Sequence, residues 1–402
     1  MILRVGNINW QRALYKSRRY LDKFLQFIGV PLVLAGKFVG LFLIPFFRSQ
    51  LFFVFPYYHI GGAEKVHIKI ISCLKERNPI VFFTNKSKNS ALKQHFTQSA
   101  KTFDFSYFNN PVFIYFWAGV LCTIINNNEN SIVFGCNNKL FYKLLPYLKP
   151  QIRCIDLIHA FGGIENFSLL YVDRLDKRVV INKQTLRDMK DQYRLCGVAE
   201  KMNERIFLIE NCVQIPEKIR RKNNEPNLKI LYVGRGTKEK RVNLIGIISH
   251  LCHQKDMPVE FFLVGDVRNS IDPQYRKYCN FLGEVVDENK LSEIYNSSEI
   301  LLLVSSSEGF PLVIMEAMAR SVVTISTDVG GISEHIHNGC NGFLIKNESE
   351  DLIVKHVCEV ISELVSNEFL RNKISLEAYE YAKANFNCKK FCSNYEKLFW
   401  GK

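Results

Sequence analysis

Short apolar runs recur along the chain from residue 51 onwards, and each is followed by a segment of helix length. In the first half these runs are LFFVF (51–55), PIVFF (79–83), SIVFG (131–135), CIDLIHA (154–160), RVVI (178–181) and IFLI (206–209). A strand buried on both faces reads as a continuous apolar run, and the helices that connect parallel strands cover both faces of the sheet. The alternation therefore predicts a parallel sheet between two layers of helices.

A second series of the same kind follows a polar stretch. Residues 211–227 contain Pro216, Pro226 and the charged run Lys218–Lys222, which together predict a linker. The next runs are LKILYVG (228–234), VEFFLVG (259–265), NFLGEVV (280–286), EILLLVS (299–305), VVTIST (322–327) and GFLI (342–345). The prediction is an α/β protein with two Rossmann-like doubly wound domains, 51–222 and 223–385, facing a cleft that holds the ligand. A last helix over 386–402 could pack back on the first domain.

Charge is concentrated in the first half of the chain. Residues 1–50 carry 8 basic and 1 acidic side chains, residues 51–222 carry 25 and 14, and residues 223–402 carry 20 and 24. Such a basic half suits nucleic acid, anionic lipid or an acidic acceptor, and composition leaves these open. The twelve cysteines form no CxxC pair, so the sequence predicts ordinary thiols, Cys388 and Cys392 included, and a protein of a reducing compartment.

The first 50 residues have the pattern of a membrane-attachment segment. A helical apolar stripe with basic residues opposite runs from Trp10 to Ile28, and residues 24–47 are almost wholly apolar apart from Lys37. A span would place the basic N-terminus inside and export the rest, so we expect a helix in the plane of the membrane or a re-entrant hairpin turning at glycine and proline. A pair of helices packed on the protein's own core is the alternative. The basic region is too long for a cleaved signal peptide.

Two carboxylates and two cations follow strands of the second series. In SSSEGFPLVIMEAMA (305–319), Glu308 lies in a turn after a strand, and Glu316 interrupts the helix predicted to begin near Phe310. The free N–H groups at the start of such a helix favour an anion such as a diphosphate. In VGRGTKEKRVNLI (233–245), Arg235 and Lys240 are cations suited to phosphate oxygens. Alone, this second motif is as compatible with a loop salt bridge.

These motifs resemble those of the retaining, nucleotide-sugar-dependent family-4 (group 1) glycosyltransferases, which have the GT-B fold. The family's G-R-x-x-x-x-K-G is matched by Gly234-Arg235 and Lys240, with Arg241 where glycine is usual, and its E-x7-E by Glu308 and Glu316. The stretch Thr327-Asp328-Val329-Gly330-Gly331-Ile332 with Glu334 matches T-D-V-G-G-I-x-E, and Gly61-Gly62-Ala63-Glu64 matches G-G-x-E. The resemblance covers about residues 51–385.

The resemblance implies a role for each matched residue. Arg235 and Lys240 would neutralise the diphosphate, Glu316 would hold the ribose hydroxyls and Glu308 would contact hydroxyls of the donor sugar. Three backbone positions would meet the phosphates: Gly309, Phe310 and Leu312. Gly62 would approach the leaving diphosphate, and His159 would lie near the transferred sugar. The catalytic set is therefore Glu308, His159, Arg235 and Lys240.

By this resemblance the chain is a retaining hexosyltransferase-type glycosyltransferase that needs no cofactor and, having no Asp-x-Asp motif at the expected place, no metal. Its partners would be a nucleotide-sugar donor, a lipid-linked or glycan acceptor of bacterial surface polysaccharide assembly and an anionic membrane surface, with no nucleic acid. Its place would be the cytoplasmic face of the cell membrane, as a peripheral or monotopic protein. The alternatives are a nucleotide-sugar epimerase, a phosphorylase, or a catalytically silent phosphate- or nucleic-acid-binding protein.

Overall fold

The chain divides into two compact units in the computed structural model, which describes residues 8–106, 113–217 and 226–401. Unit 1 comprises residues 1–209 together with 392–402, and unit 2 comprises residues 210–391. Unit 2 begins ahead of the predicted boundary at residue 222 because Val213 is buried in its core. The charged run Lys218–Lys222 of the predicted linker lies outside the described residues.

Unit 1 contains a seven-stranded parallel sheet in the order β3-β2-β1-β4-β5-β6-β7. The strands are β1 Leu51–Phe55, β2 Ile80–Phe83, β3 Lys101–Asp104, β4 Ile132–Cys136, β5 Arg153–Ile158, β6 Lys177–Val180 and β7 Ile206–Leu208. The helices are α1 Ile8–Leu43, α2 Gly62–Cys73, α3 Lys93–Thr97, α4 Ile114–Asn126, α5 Lys139–Leu144, α6 Glu165–Ser168 and α7 Lys183–Cys196. Strands β1, β2 and β4 are buried along their whole length, as their apolar runs predict.

Unit 2 contains a six-stranded parallel sheet in the order β10-β9-β8-β11-β12-β13. The strands are β8 Leu228–Val233, β9 Val259–Val264, β10 Cys279–Gly283, β11 Ile300–Leu303, β12 Val323–Thr327 and β13 Phe343–Ile345. The helices are α8 Val242–Gln254, α9 Glu288–Asn296, α10 Leu312–Met318, α11 Glu350–Ser366 and α12 Glu368–Asn385, followed by α13 Cys388–Trp400. The prediction of two doubly wound α/β domains is confirmed.

The N-terminal segment forms one helix, so the predicted re-entrant hairpin is wrong. Of the alternative, a pair of helices packed on the protein's own core, the pair is wrong but the packing on the domain is found. Helix α1 runs for 36 residues with Pro31 inside it. The glycines of α1 lie where α4 packs against it, and they do not interrupt the helix. A Cβ on Gly36 would lie 2.0 Å from the carbonyl oxygen of Phe116, and a Cβ on Gly119 of α4 would lie 2.2 Å from the carbonyl oxygen of Val33. Close packing against α4 therefore accounts for these glycines within one continuous helix.

The C-terminal end of α13 packs on unit 1. Phe399 packs against Phe53 and Phe134, whose strands lie side by side in the sheet. This packing brings Cys392 beside Cys73 at the end of α2, and the two form a disulfide with their Cα atoms 5.2 Å apart. The prediction of ordinary thiols is therefore wrong for this pair, whose members are 319 residues apart in sequence.

Candidate active site

Each sheet has one point where the strand order reverses, and the predicted site residues follow the strands at these points. In unit 2 the reversal lies between β8 and β11, which are followed by the Arg235–Lys240 loop and the Glu308 loop. In unit 1 it lies between β1 and β4, and Gly62 opens the helix after β1. Loops at the carboxyl ends of strands that flank such a reversal are where doubly wound folds bind ligands.

Lys240 and Glu308 come together in unit 2 although they are 68 residues apart. The Nζ of Lys240 donates to Oε1 of Glu308 at 2.5 Å, and only 17% and 8% of the two side chains are exposed. A charge-assisted hydrogen bond of this kind holds both groups in place. The cation and the carboxylate predicted to contact the donor therefore belong to one buried pair.

A backbone hydrogen bond joins the Arg235–Lys240 loop to the Glu308 loop. The carbonyl of Glu239 accepts from the backbone N–H of Ser306 at 2.7 Å. A hydrogen bond from the Thr237 hydroxyl lowers the pKa of the Glu239 carboxyl. Burial opposes this shift, while a backbone hydrogen bond and then the charges of Arg235 and Lys240 add to it. Arg235 itself is exposed at the carboxyl end of β8, with its backbone carbonyl accepting from the Tyr232 hydroxyl at 2.9 Å.

Arg241 explains why glycine is usual at its position in the family. Its φ of +47° lies in the left-handed region that favours glycine. The guanidinium donates to the carbonyls of Val304 and Ser305 at 2.7 and 2.8 Å and to Oδ1 of Asn347 at 2.7 Å. Sequence reasoning treated Arg241 only as a departure from the motif, whereas its side chain anchors the start of the Glu308 loop.

Glu316 projects from α10 towards α9. The Tyr295 hydroxyl donates to its Oε2 at 2.8 Å, and burial, then the charge of Glu316, raises the pKa of Tyr295. Tyr295 is buried, so it is a firm support for the carboxylate. No sequence motif pointed to Tyr295, although its place near the end of an amphipathic helix indicated an inward side chain.

The turn after Glu308 is shaped by the glycines of the T-D-V-G-G-I stretch. A Cβ on Gly330, whose φ is +61°, would lie 1.9 Å from the carbonyl oxygen of Glu308, and the N–H of Gly331 donates to the carbonyl of Gly309 at 2.7 Å. Phe310 is buried and stacks on His335, so only its backbone is available to a ligand. Helix α10 begins at Leu312, after the predicted start near Phe310, because Pro311 has an extended ψ of 134°.

Gly62 has open space beside it. A Cβ at this position would meet no protein atom within 4 Å, and its φ is not positive. Packing therefore does not require glycine here, which fits the expected close approach of a ligand. Glu64, in the same first turn of α2, is buried, with Oε1 3.9 Å from Nε2 of His59.

His159 follows β5 and meets a histidine that sequence reasoning missed. Its Nε2 lies 3.1 Å from Nε2 of His67 on α2. Burial lowers the pKa of His159 to about 4, and burial, then the neighbouring His159, lowers that of His67. Both rings are therefore neutral near pH 7. The sequence offered one indication of His67: it is an ionisable residue on the inward face of α2, the face that also carries Glu64.

One group of side chains among the described residues has the donor set of a metal site. His67, Cys136 and His159 each offer a ligand atom, and these atoms lie within 4.8 Å of one another. Burial, then the charges of Asp156 and Glu64, raises the pKa of Cys136. Zinc binding at this group would require the Cys136 thiol to lose its proton.

Residues 215–381 match the family model of glycosyl transferases group 1. Most of unit 2 thus resembles the group 1 glycosyltransferases. It is 27% identical over 239 residues to the O-antigen biosynthesis glycosyltransferase WbnH of Escherichia coli, a match covering 56% of this chain and 66% of that protein, slightly under two thirds of its length. It is 27% identical over 178 residues to the capsular polysaccharide biosynthesis glycosyltransferase CapM of Staphylococcus aureus, covering 43% and 46%.

Solved structures share the fold of nearly the whole chain. TarM of S. aureus superimposes with a TM-score of 0.72 at 14% identity, covering 89% of this chain and 99% of the other. HepE of Anabaena, solved in complex with UDP and glucose, superimposes with a TM-score of 0.68 at 16% identity, covering 87% and 99%. The GT-B fold that the resemblance predicted is thus confirmed.

Proposed function

We propose that the protein transfers a sugar from a nucleoside-diphosphate sugar to a glycan or lipid-linked acceptor of surface polysaccharide assembly, with retention of anomeric configuration. The observation that carries this proposal is the buried Lys240–Glu308 pair beside Arg235 in the domain that matches group 1 glycosyltransferases. Breaking the anomeric bond puts new negative charge on the β-phosphate. Cations already held at that place stabilise the charge as it forms, without reorganisation in the transition state.

In this proposal unit 2 holds the donor. Glu316, supported by Tyr295, accepts hydrogen bonds from the ribose hydroxyls, while Glu308 contacts the sugar. Arg235 and Lys240 neutralise the diphosphate, with the backbone of Gly309, Phe310 and Leu312 beside it. In unit 1, Gly62 leaves room for the close approach of the leaving diphosphate, and His159 lies near the transferred sugar. The proposal includes no cofactor and no divalent metal.

A panel of labelled nucleotide sugars tests this function, with the UDP sugars first because solved neighbours bind UDP. Lipid extract and polysaccharide fragments serve as acceptors, with and without EDTA. Label in the acceptor and release of nucleoside diphosphate, unaffected by EDTA, support the proposal. An epimerised donor, a sugar phosphate made from inorganic phosphate, or nucleotide binding without turnover supports the epimerase, phosphorylase or silent alternative and contradicts it.

The two carboxylates are distinguished by their variants. Glu316→Gln should weaken nucleoside diphosphate binding, because a neutral amide accepts less strongly from the ribose hydroxyls. Glu308→Gln should lower turnover more than binding. Calorimetric titration with UDP and initial rates measure the two effects. Unchanged affinity in the Glu316 variant would remove its ribose role.

We also propose that α1 attaches unit 1 to the cytoplasmic face of an anionic membrane and lies in its plane. The helix is apolar on the outside: its exposed large apolar side chains are Trp10, Tyr20, Leu21, Phe24, Leu25, Phe27, Ile28, Val30, Leu34, Phe38, Val39, Leu41 and Phe42. Its inward face instead carries glycines and polar groups, among them Asp22, which pairs with Lys143. An exposed apolar surface with adjoining basic residues suits an anionic leaflet.

The packing of α1 favours the in-plane arrangement over a span. The helix is long and apolar enough to cross a membrane by composition. However, Asp22 accepts hydrogen bonds from Lys143 and Tyr171 of unit 1, and Arg19 forms an ion pair with Asp173. One side of the helix is therefore bound to the domain. A helix held along a folded domain cannot also cross the bilayer alone.

Flotation with vesicles of anionic lipid tests the attachment. The double variant Phe27→Ser/Phe42→Ser should leave the vesicle fraction, while the matched control Phe369→Ser/Leu376→Ser, at exposed positions in unit 2, should float like the wild type. Part of the wild-type binding should persist at high salt, since apolar burial is not screened. Equal flotation of both double variants would contradict membrane attachment.

A further inference from the structure

His67, the histidine that contacts His159, is held in place by its neighbours. His67 is 1% exposed, and its ring stacks on Phe55 with centroids 4.0 Å apart and planes inclined by 3°. Its Nε2 faces Nε2 of His159 at 3.1 Å. The stacking contact holds the plane of the ring, and the contact with His159 turns its Nε2 edge towards that residue.

The surroundings of His67 indicate which ring carries the shared proton. A hydrogen bond between two neutral imidazoles needs one Nε2–H donor and one bare Nε2 acceptor. The Nδ1 of His67 is buried and has no hydrogen-bond partner among the described residues. A buried orphan N–H is rarer in proteins than an under-used acceptor, so the bare nitrogen of His67 is Nδ1 and its proton lies on Nε2.

We propose that His67 is a positioning residue that donates its Nε2–H to Nε2 of His159 and so holds His159 as the tautomer with its proton on Nδ1. The nitrogen that His159 then offers is a donor, suited to a hydroxyl oxygen of the transferred sugar. This last step rests on the proposed function, whereas the tautomer assignment rests on the pair alone. The arrangement follows the general rule that the partner of one ring nitrogen sets the state of the other.

Nitrogen NMR of histidine-labelled protein tests the tautomer without any substrate. In the wild type at pH 7, His159 should show a protonated Nδ1 and a bare Nε2, and His67 the reverse. In His67→Phe, which keeps a ring to stack on Phe55, the His159 signals should shift towards a mixture of tautomers. A protonated Nε2 on His159 in the wild type would overturn the inference, as would one equivalent of zinc in the purified protein, because zinc would occupy both Nε2 atoms.

Kinetics of three variants test the consequence for the reaction. His67→Phe should lower kcat by about 10- to 100-fold, the scale of a misplaced hydrogen-bond donor, with UDP affinity changed less than about twofold. His67→Gln keeps an N–H donor near the same place and should recover kcat to within about threefold. The matched control His250→Phe, in unit 2, should leave both kcat and the His159 signals unchanged. A Gln variant as slow as the Phe variant would assign His67 to packing alone.

The two proposals fail in different ways. If no donor is turned over by the wild type, the proposed function is wrong while the NMR result still decides the tautomer. If the wild type transfers sugar but His159 carries its proton on Nε2, only the positioning role of His67 is wrong.

Discussion

At the residue scale, the fold requires glycine at position 330 but not at position 62. Gly330 has a positive φ and a carbonyl oxygen where its Cβ would be, so the fold itself demands glycine. Gly62 has neither constraint. We therefore expect Gly62→Ala to keep or slightly raise the free energy of unfolding, since alanine favours the first turn of a helix, while donor turnover falls about tenfold or more because the methyl group meets the diphosphate. Denaturant unfolding and initial rates measure the two effects, and unchanged turnover would separate Gly62 from the leaving group.

Variants of Arg241 separate the effect of its left-handed backbone on stability from the effect of its side-chain hydrogen bonds. Arg241→Ala loses the three guanidinium hydrogen bonds and keeps a β-carbon in the left-handed region, whereas Arg241→Gly loses the bonds and relieves the backbone. The alanine variant should therefore be less stable than the glycine variant by about 1 kcal/mol. Denaturant unfolding of both variants measures this difference. Equal stabilities would show that the backbone strain is relieved elsewhere.

At the element scale, α1 belongs to the core of unit 1 as well as to its surface. Gly36→Val would force a side chain into the carbonyl of Phe116, and it should lower the free energy of unfolding by about 3 kcal/mol or more. Ala35→Val, at an exposed neighbouring position, is the control and should change stability by less than about 1 kcal/mol. Similar stabilities of the two variants would mean that α1 is not packed against α4.

Elements whose pattern is local were predictable, and those set by distant contacts were not. The buried strands and the Glu308 and Lys240 motifs follow from apolar runs and short spacings. Strand β3 was missed because it lies at the sheet edge, where its residues are only half-buried or exposed. The continuity of α1 depends on α4, and the Cys73–Cys392 disulfide on the return of the last helix. His67 and Tyr295 could be placed on inward helix faces, but their partners lie on other elements.

At the scale of the whole molecule, the histidine pair makes stability depend on pH. The folded-state pKa of His159, about 4, lies below the unfolded value of about 6.5, and that of His67 is also lowered. The unfolded chain therefore binds more protons, and stability is lost as pH falls from about 6.5 to 4, by at most about 3 kcal/mol for His159. Unfolding free energies between pH 4 and 7 should show a smaller loss in His159→Gln than in the wild type, with the exposed His253→Gln as control. An equal loss in all three proteins would contradict the buried neutral pair.

The central claim is that Arg235 and Lys240 stabilise the departing diphosphate of a nucleotide sugar during transfer. The most direct measurement is the rate of sugar transfer from the active donor by the wild type, Arg235→Ala, Lys240→Ala and the control Lys238→Ala, which removes an exposed cation from the same loop. We predict that Arg235→Ala and Lys240→Ala each lose about 2–4 kcal/mol of transition-state stabilisation, while Lys238→Ala transfers at close to the wild-type rate and the product keeps the anomeric configuration of the donor. Transfer that survives both Arg235→Ala and Lys240→Ala within a few-fold would show that these cations do not stabilise the departing diphosphate.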